Sequence, residues 1–118
     1  MLKELGKVIG IYRYPVKSMA GYSLTNAKLG WHGLVGDRRF VFIRDGVIGT
    51  FPWLTAGKLP QLVTYKPLCK DPKQPDLPTH VLTPTGQELE IYGEELRQEI
   101  ADAYGSPVRM MQFNQGFF

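Results

Sequence analysis

Residues 39–46 read Arg-Phe-Val-Phe-Ile-Arg-Asp-Gly, four consecutive apolar residues between two arginines with a tight-turn dipeptide after them, and this stretch decides the fold class. Aromatic and β-branched side chains suit a pleated, packed surface better than a helix. Asp-Gly tolerates the positive φ angles of a two-residue hairpin turn. Residues 39–44 are therefore expected to form the clearest strand of the chain, with Val47 and Ile48 beginning the return strand. Upstream, residues 7–14 (KVIGIYRY) read as a first strand closed by Pro15, because a residue before proline is pushed to extended geometry. Residues 22–29 make a weaker second strand, followed by a glycine-marked turn over 30–36. Downstream, residues 52–60 are too rich in proline and glycine for a long element, and an irregular crossing or one 3₁₀ turn is expected. Residues 62–66 (LVTYK) resume strand character, 69–78 read as an exposed and mobile loop, and 80–83 with 88–92 flank the turn signal Pro84-Thr85-Gly86 as a second hairpin.

Helical spacing is confined to residues 94–104, where Leu96, Ile100, Ala103 and Tyr104 share a stripe. Glu94 and Glu95 suit the positive end of the helix dipole, and Gly105 is placed to stop the helix. Residues 108–113 complete the pattern as a last strand. The fold class is thus mainly β: a small β-barrel of short, mostly antiparallel strands with one short C-terminal helix over 94–104. Periodicity alone does not separate a closed barrel from a small sandwich.

A length of 118 residues fits one domain, and 43% hydrophobic composition is that of an ordinary globular chain. No apolar run approaches the roughly 18 residues that span a bilayer, and the first ten residues carry no secretory leader pattern. A cytoplasmic location is expected. Cys69 is the only cysteine, which excludes an internal disulfide and a cysteine zinc cluster, and His32 and His80 lie far apart in sequence. The net charge of +3 is unevenly spread: residues 1–59 hold nine Lys and Arg against Glu4, Asp37 and Asp45, so an anionic partner would meet the first half.

Catalytic templates are missing: the sequence has no G-x-S-x-G elbow, no Walker loop and no H-E-x-x-H. The glutamate pairs at 88/90 and 94/95 are explained by a solvated hairpin and a helix start. Two loops instead set cationic donors beside turn residues. In the first, Tyr14-Pro15-Val16-Lys17-Ser18-Met19-Ala20-Gly21, an ammonium and a hydroxyl stand side by side, the charge and directed donors that a phosphate needs. In the second, Gly33-Leu34-Val35-Gly36-Asp37-Arg38-Arg39-Phe40, a guanidinium can clamp two phosphate oxygens. Equally, these can be solvent contacts, a turn cap and an Asp37–Arg38 ion pair.

Y-P-V-K-S-M at 14–19, G-L-x-G-D-R-R-F at 33–40 and L-T-A-x-K-L-P-Q-L at 54–62, in this order and spacing, resemble the N-terminal β-barrel domain of MOSC (molybdenum cofactor sulfurase C-terminal-like) proteins, which include the amidoxime-reducing component. The resemblance implies an accessory domain, inactive alone, that helps hold the pterin phosphate of the molybdenum cofactor (molybdopterin) through Lys17, Ser18 and Arg38, with Asp37 orienting Arg38. It implies a C-terminal MOSC domain as partner, carrying the cysteine that ligates molybdenum or carries sulfur, and a parent protein that transfers sulfur or reduces N-hydroxylated compounds with a redox partner. No metal ligand or catalytic residue is assigned within this chain, and Cys69 matches no motif. Gly57 stands where many relatives carry arginine. On this reading residues 1–112 are the barrel domain and 113–118 open a linker, the apolar Phe117-Phe118 end being expected to continue. The alternative is a free-standing barrel that binds single-stranded nucleic acid by stacking on Tyr12, Tyr14, Tyr22, Trp31 and Phe40; on the cofactor reading neither nucleic acid nor a membrane is an expected partner.

Overall fold

The structure, a computed structural model, describes residues 6–8, 10–27, 29–30, 33–46 and 51–112. The apolar run that decides the fold class is strand β5, Phe40–Arg44, and Phe40, Val41, Phe42 and Ile43 are all buried. Burial on both faces explains why it reads as a continuous hydrophobic stretch rather than an alternating one. One edge of β5 pairs antiparallel with the last strand, β9 (Val108–Gln112), from Phe40↔Gln112 to Arg44↔Val108. Its other edge is shared by two segments: Val16 bridges Phe40 in parallel, and Trp53 bridges Ile43 antiparallel. The expected return strand at 47–48 lies outside the described residues.

The remaining strands are short: β1 (Ile11–Arg13) with β2 (Tyr22–Leu24), β3 (Leu29–Gly30) with β4 (Gly33–Leu34), and the meander β6 (Lys66–Leu68), β7 (His80–Leu82), β8 (Glu88–Glu90), all antiparallel. Among the described residues the chain is mainly β, as four small sheets rather than one closed ladder. The first strand is shorter than the 7–14 run suggests, and 22–29 divides between β2 and β3. The hairpin around Gly86 forms where expected, with Gly86 at φ 90°.

Helix α1 (Glu94–Tyr104) lies where the spacing places it, ending at Gly105 in the left-handed conformation. Its inward stripe is Leu96, Ile100 and Ala101 with Tyr104 packed at the margin, whereas Ala103 is exposed. These residues join Val16, Met19, Phe40, Phe42, Leu54, Leu59, Leu62, Tyr65, Val81 and Val108 in one core.

The strand expected over 62–66 does not form. Residues Pro60–Thr64 are a 3₁₀ helix and strand structure begins at Lys66. Leu59, Leu62 and Tyr65 are buried while Val63 is 55% exposed, a spacing of three, and Pro60 at the helix start presets φ. The proline-rich stretch 69–78 is exposed over 72–75 but returns to the body, with Leu77 against the core and Pro78 buried. No helix among the described residues is long and apolar enough to cross a membrane.

Candidate functional site

The two loops that carry cationic donors are zipped together along their backbones. Arg38 N–H donates to Tyr14 O (2.6 Å), Arg39 and Phe40 N–H both donate to Pro15 O (2.9 and 3.0 Å), and Lys17 N–H donates to Phe40 O (2.8 Å). Pro15 and Val16 are fully buried beneath this seam, which anchors it to the core. Lys17 and Ser18, 20 or more residues from Arg38 in sequence, thereby lie with it in one cluster of backbone-joined loops.

Each loop turns by a different route to a left-handed residue. Met19 N–H donates to Val16 O at 3.2 Å, and Ser18 at the third position has φ 69°, which makes Val16–Met19 a type II turn with serine where glycine is favoured. In the second loop Asp37 N–H closes on Leu34 O at 3.1 Å with Gly36 at φ 84°, and Arg38 follows at φ 47°. Ser18 and Arg38 are the only non-glycine residues with positive φ among the described residues. Such conformations cost of order 1–3 kcal/mol each, persist only where the surroundings impose them, and concentrate at ligand-binding sites.

Asp37 joins the two loops through its carboxylate. Tyr14 N–H donates to its Oδ1 (2.7 Å), and Arg38 Nη1 donates to its Oδ2 (2.5 Å). The Arg38 guanidinium also lies over the Tyr14 ring, 5.3 Å from the centroid, and half of its side chain remains open to solvent. Lys17, Ser18 and Arg38 offer an ammonium, a hydroxyl and a planar fork of donors against one carboxylate, a set that suits a phosphate group. The same set offers nothing to a soft metal, and no group of three or more His, Cys, Asp or Glu able to hold a metal ion occurs among the described residues. The residues therefore fit a cofactor's phosphate and not its metal.

Sequence reasoning missed Arg13. It closes β1 one residue before Tyr14 and is 95% buried, with Nη1 bound to Tyr22 Oη (3.1 Å) and Asp76 Oδ1 (2.9 Å). Burial works against its charge, and Tyr22 and Asp76 outweigh it, so the pKa of Arg13 is raised. Its Nε is buried without a hydrogen-bond partner and packs near Gly36, where a Cβ would come within 3.3 Å of it and 2.6 Å of Asp76 O. Burial, then the Cys69 thiol 3.6 Å away, raise the Tyr22 pKa. A cleft of about 460 Å³ opens beside Arg13, Tyr22 and Asp76, but the arginine is already committed to neighbours. An arginine inside a β-branched and aromatic run reads as a solvent-facing residue; only the fold brings Asp76 to it.

The third motif is structural, since Leu54, Leu59 and Leu62 are core residues and Gly57 is exposed. Of the aromatics considered for stacking, Phe40 is in the core, Tyr22 binds Arg13, and Trp31 lies outside the described residues, as does His32; Tyr12 is exposed. His80 Nδ1 is 2.8 Å from Thr79 Oγ1.

Against this geometry, the family model described as the MOSC N-terminal beta barrel domain matches residues 5–114. The chain belongs to that family. The match spans both donor loops and the seam between them, so the MOSC N-terminal domain is the unit that carries the cluster. No curated protein and no solved structure matches the chain.

Proposed function

We propose that this MOSC N-terminal domain is an accessory cofactor-binding domain that grips the phosphate of molybdopterin through Lys17, Ser18 and Arg38, and that it has no turnover alone. The observation that carries this reading is the seam that joins the two donor loops and holds Ser18 and Arg38, both left-handed, in one cluster. Two donor residues held in disfavoured conformations by their turns and the seam are set in place before an anion arrives. Arg38 would meet the phosphate with the donors that Asp37 leaves, Lys17 would supply an ammonium, and Ser18 a directed hydroxyl. A C-terminal MOSC domain would complete the site. When bound, the cofactor supplies the molybdenum centre for sulfur transfer or for reduction of N-hydroxylated compounds, the latter with a redox partner. A cytoplasmic setting suits the free thiol of Cys69.

The test is cofactor retention in the protein that joins this domain to its MOSC domain. Arg38→Ala is expected to lower bound molybdopterin about tenfold or more, the loss of a charge-assisted contact, with an unchanged melting temperature. Normal cofactor content in that variant would overturn the assignment.

A further inference from the structure

We infer that Tyr14 is a positioning residue of the phosphate site: its ring, seated on Gly21, holds the Arg38 guanidinium in the plane from which it meets the anion. The inference rests on the reading of Arg38 as an anion contact.

Two contacts converge on Tyr14, and a third connects them. Its N–H is bound by Asp37 Oδ1, the same carboxylate holds Arg38 Nη1 through Oδ2, and the Arg38 guanidinium returns over the Tyr14 ring at 5.3 Å. The path from Tyr14 backbone through Asp37 and Arg38 to the Tyr14 ring is a closed circuit. An ion pair alone leaves a guanidinium free to swing about one bond, whereas a ring face beneath it fixes the plane as well.

The ring itself is fixed from its neighbour in the loop. A Cβ at Gly21 would lie 2.6 Å from both Cδ1 and Cε1 of Tyr14 and 2.7 Å from Arg13 O, distances that real Cβ atoms do not reach. Gly21 has no positive φ, so close approach of the ring and of the Arg13 carbonyl, rather than backbone freedom, requires glycine there. Tyr14 is nevertheless 38% exposed, so the ring is not there to fill the core. Its phenolic oxygen plays no part in the circuit, and a phenyl ring serves as well.

The experiment compares Tyr14→Phe, Tyr14→Leu, Gly21→Ala and Arg38→Ala by NMR in the protein that joins this domain to its MOSC domain, titrating inorganic pyrophosphate as the probe. Before any ligand is added, the Arg38 side-chain resonances should carry the ring-current shift of a stacked guanidinium in the wild type and Tyr14→Phe, and lose it in Tyr14→Leu. With pyrophosphate, Tyr14→Phe is expected to bind like the wild type, and Tyr14→Leu about two- to fivefold more weakly, the size of an exposed cation–π contact. Gly21→Ala, which displaces the ring without removing it, should weaken binding similarly. Equal affinity in Tyr14→Leu and the wild type, with Arg38→Ala impaired, would overturn the positioning role while leaving the phosphate reading in place. No difference between the wild type and Arg38→Ala would overturn both.

Discussion

Ser18 and Arg38 share a backbone conformation that their own Cβ atoms disfavour. At Ser18 the cause is local: the Val16–Met19 turn needs a positive φ at its third position, and serine occupies it. Glycine there would relieve about 1 kcal/mol of left-handed cost and add a similar amount of unfolded-state freedom. Ser18→Gly is therefore expected to melt within about 0.5 kcal/mol of the wild type. Ser18→Val, whose branched Cβ is least tolerant of positive φ, should lose about 1–2 kcal/mol or more, and urea unfolding of the two variants distinguishes them. Equal stabilities would mean that the turn does not hold residue 18 left-handed. Both donor loops were legible in the sequence because lysine, serine and arginine beside turn residues are a local pattern. Their union was not, since the hydrogen bonds from residues 38–40 to 14–15 connect segments more than 20 residues apart and leave no periodic trace. Arg13 was illegible for the same reason, its partner Asp76 being 63 positions away.

At the scale of elements, local signals decide what can be read. Helix α1 could be bounded at both ends because its acidic first turn, apolar stripe and terminal glycine agree. Residues 60–65 mislead, because Leu, Val, Thr and Tyr carry strand propensity while Pro60 and the spacing of Leu59, Leu62 and Tyr65 favour a 3₁₀ helix that points every third residue inward. Tyr65 caps this helix and donates to Glu99 Oε2 on α1 at 2.5 Å, joining the two helical elements. Burial first, and then Glu99, raise its pKa well above the ordinary tyrosine value. Below about pH 10 both folded and unfolded chains keep this proton, and its contribution to stability is complete. Above about pH 10 the unfolded chain releases the proton while the folded chain retains it, so stability falls as pH rises toward the folded pKa. Urea melts between pH 9 and 11 should show this decline, and Tyr65→Phe should make it shallower, leaving the share of Tyr22 and Tyr92, whose pKa values burial also raises. Identical slopes in the two proteins would contradict the assignment.

Across the whole molecule, Arg13 fastens the β1–β2 pair to loops that no strand pairing among the described residues joins to it. Its guanidinium links β1 to β2 through Tyr22, reaches the loop after β6 through Asp76, and packs near Gly36 in the turn that leads to Arg38. Because Tyr14 follows Arg13 and Asp37 follows Gly36, the clasp also underpins both donor loops. The two ends of its ion pair are unequally placed: the Arg13 side chain is 6% exposed and that of Asp76 46%. Removing Asp76 strands a buried charge, whereas removing Arg13 leaves a carboxylate that water can reach. Asp76→Ala is thus expected to cost about 2–3 kcal/mol, and Arg13→Met, which fills similar volume without charge, distinctly less, although both delete the same ion pair. Hydrogen exchange then tests whether the clasp reaches the site: the amides of Tyr14 and Arg38, held by Asp37 Oδ1 and Tyr14 O, should exchange faster in Asp76→Ala than in the wild type. If Arg13→Met were the more damaging variant, packing rather than charge would hold these segments together. If the two amides kept their protection in Asp76→Ala, the donor loops would stand on their own seam, and Arg13 would belong to the body of the domain rather than to its site.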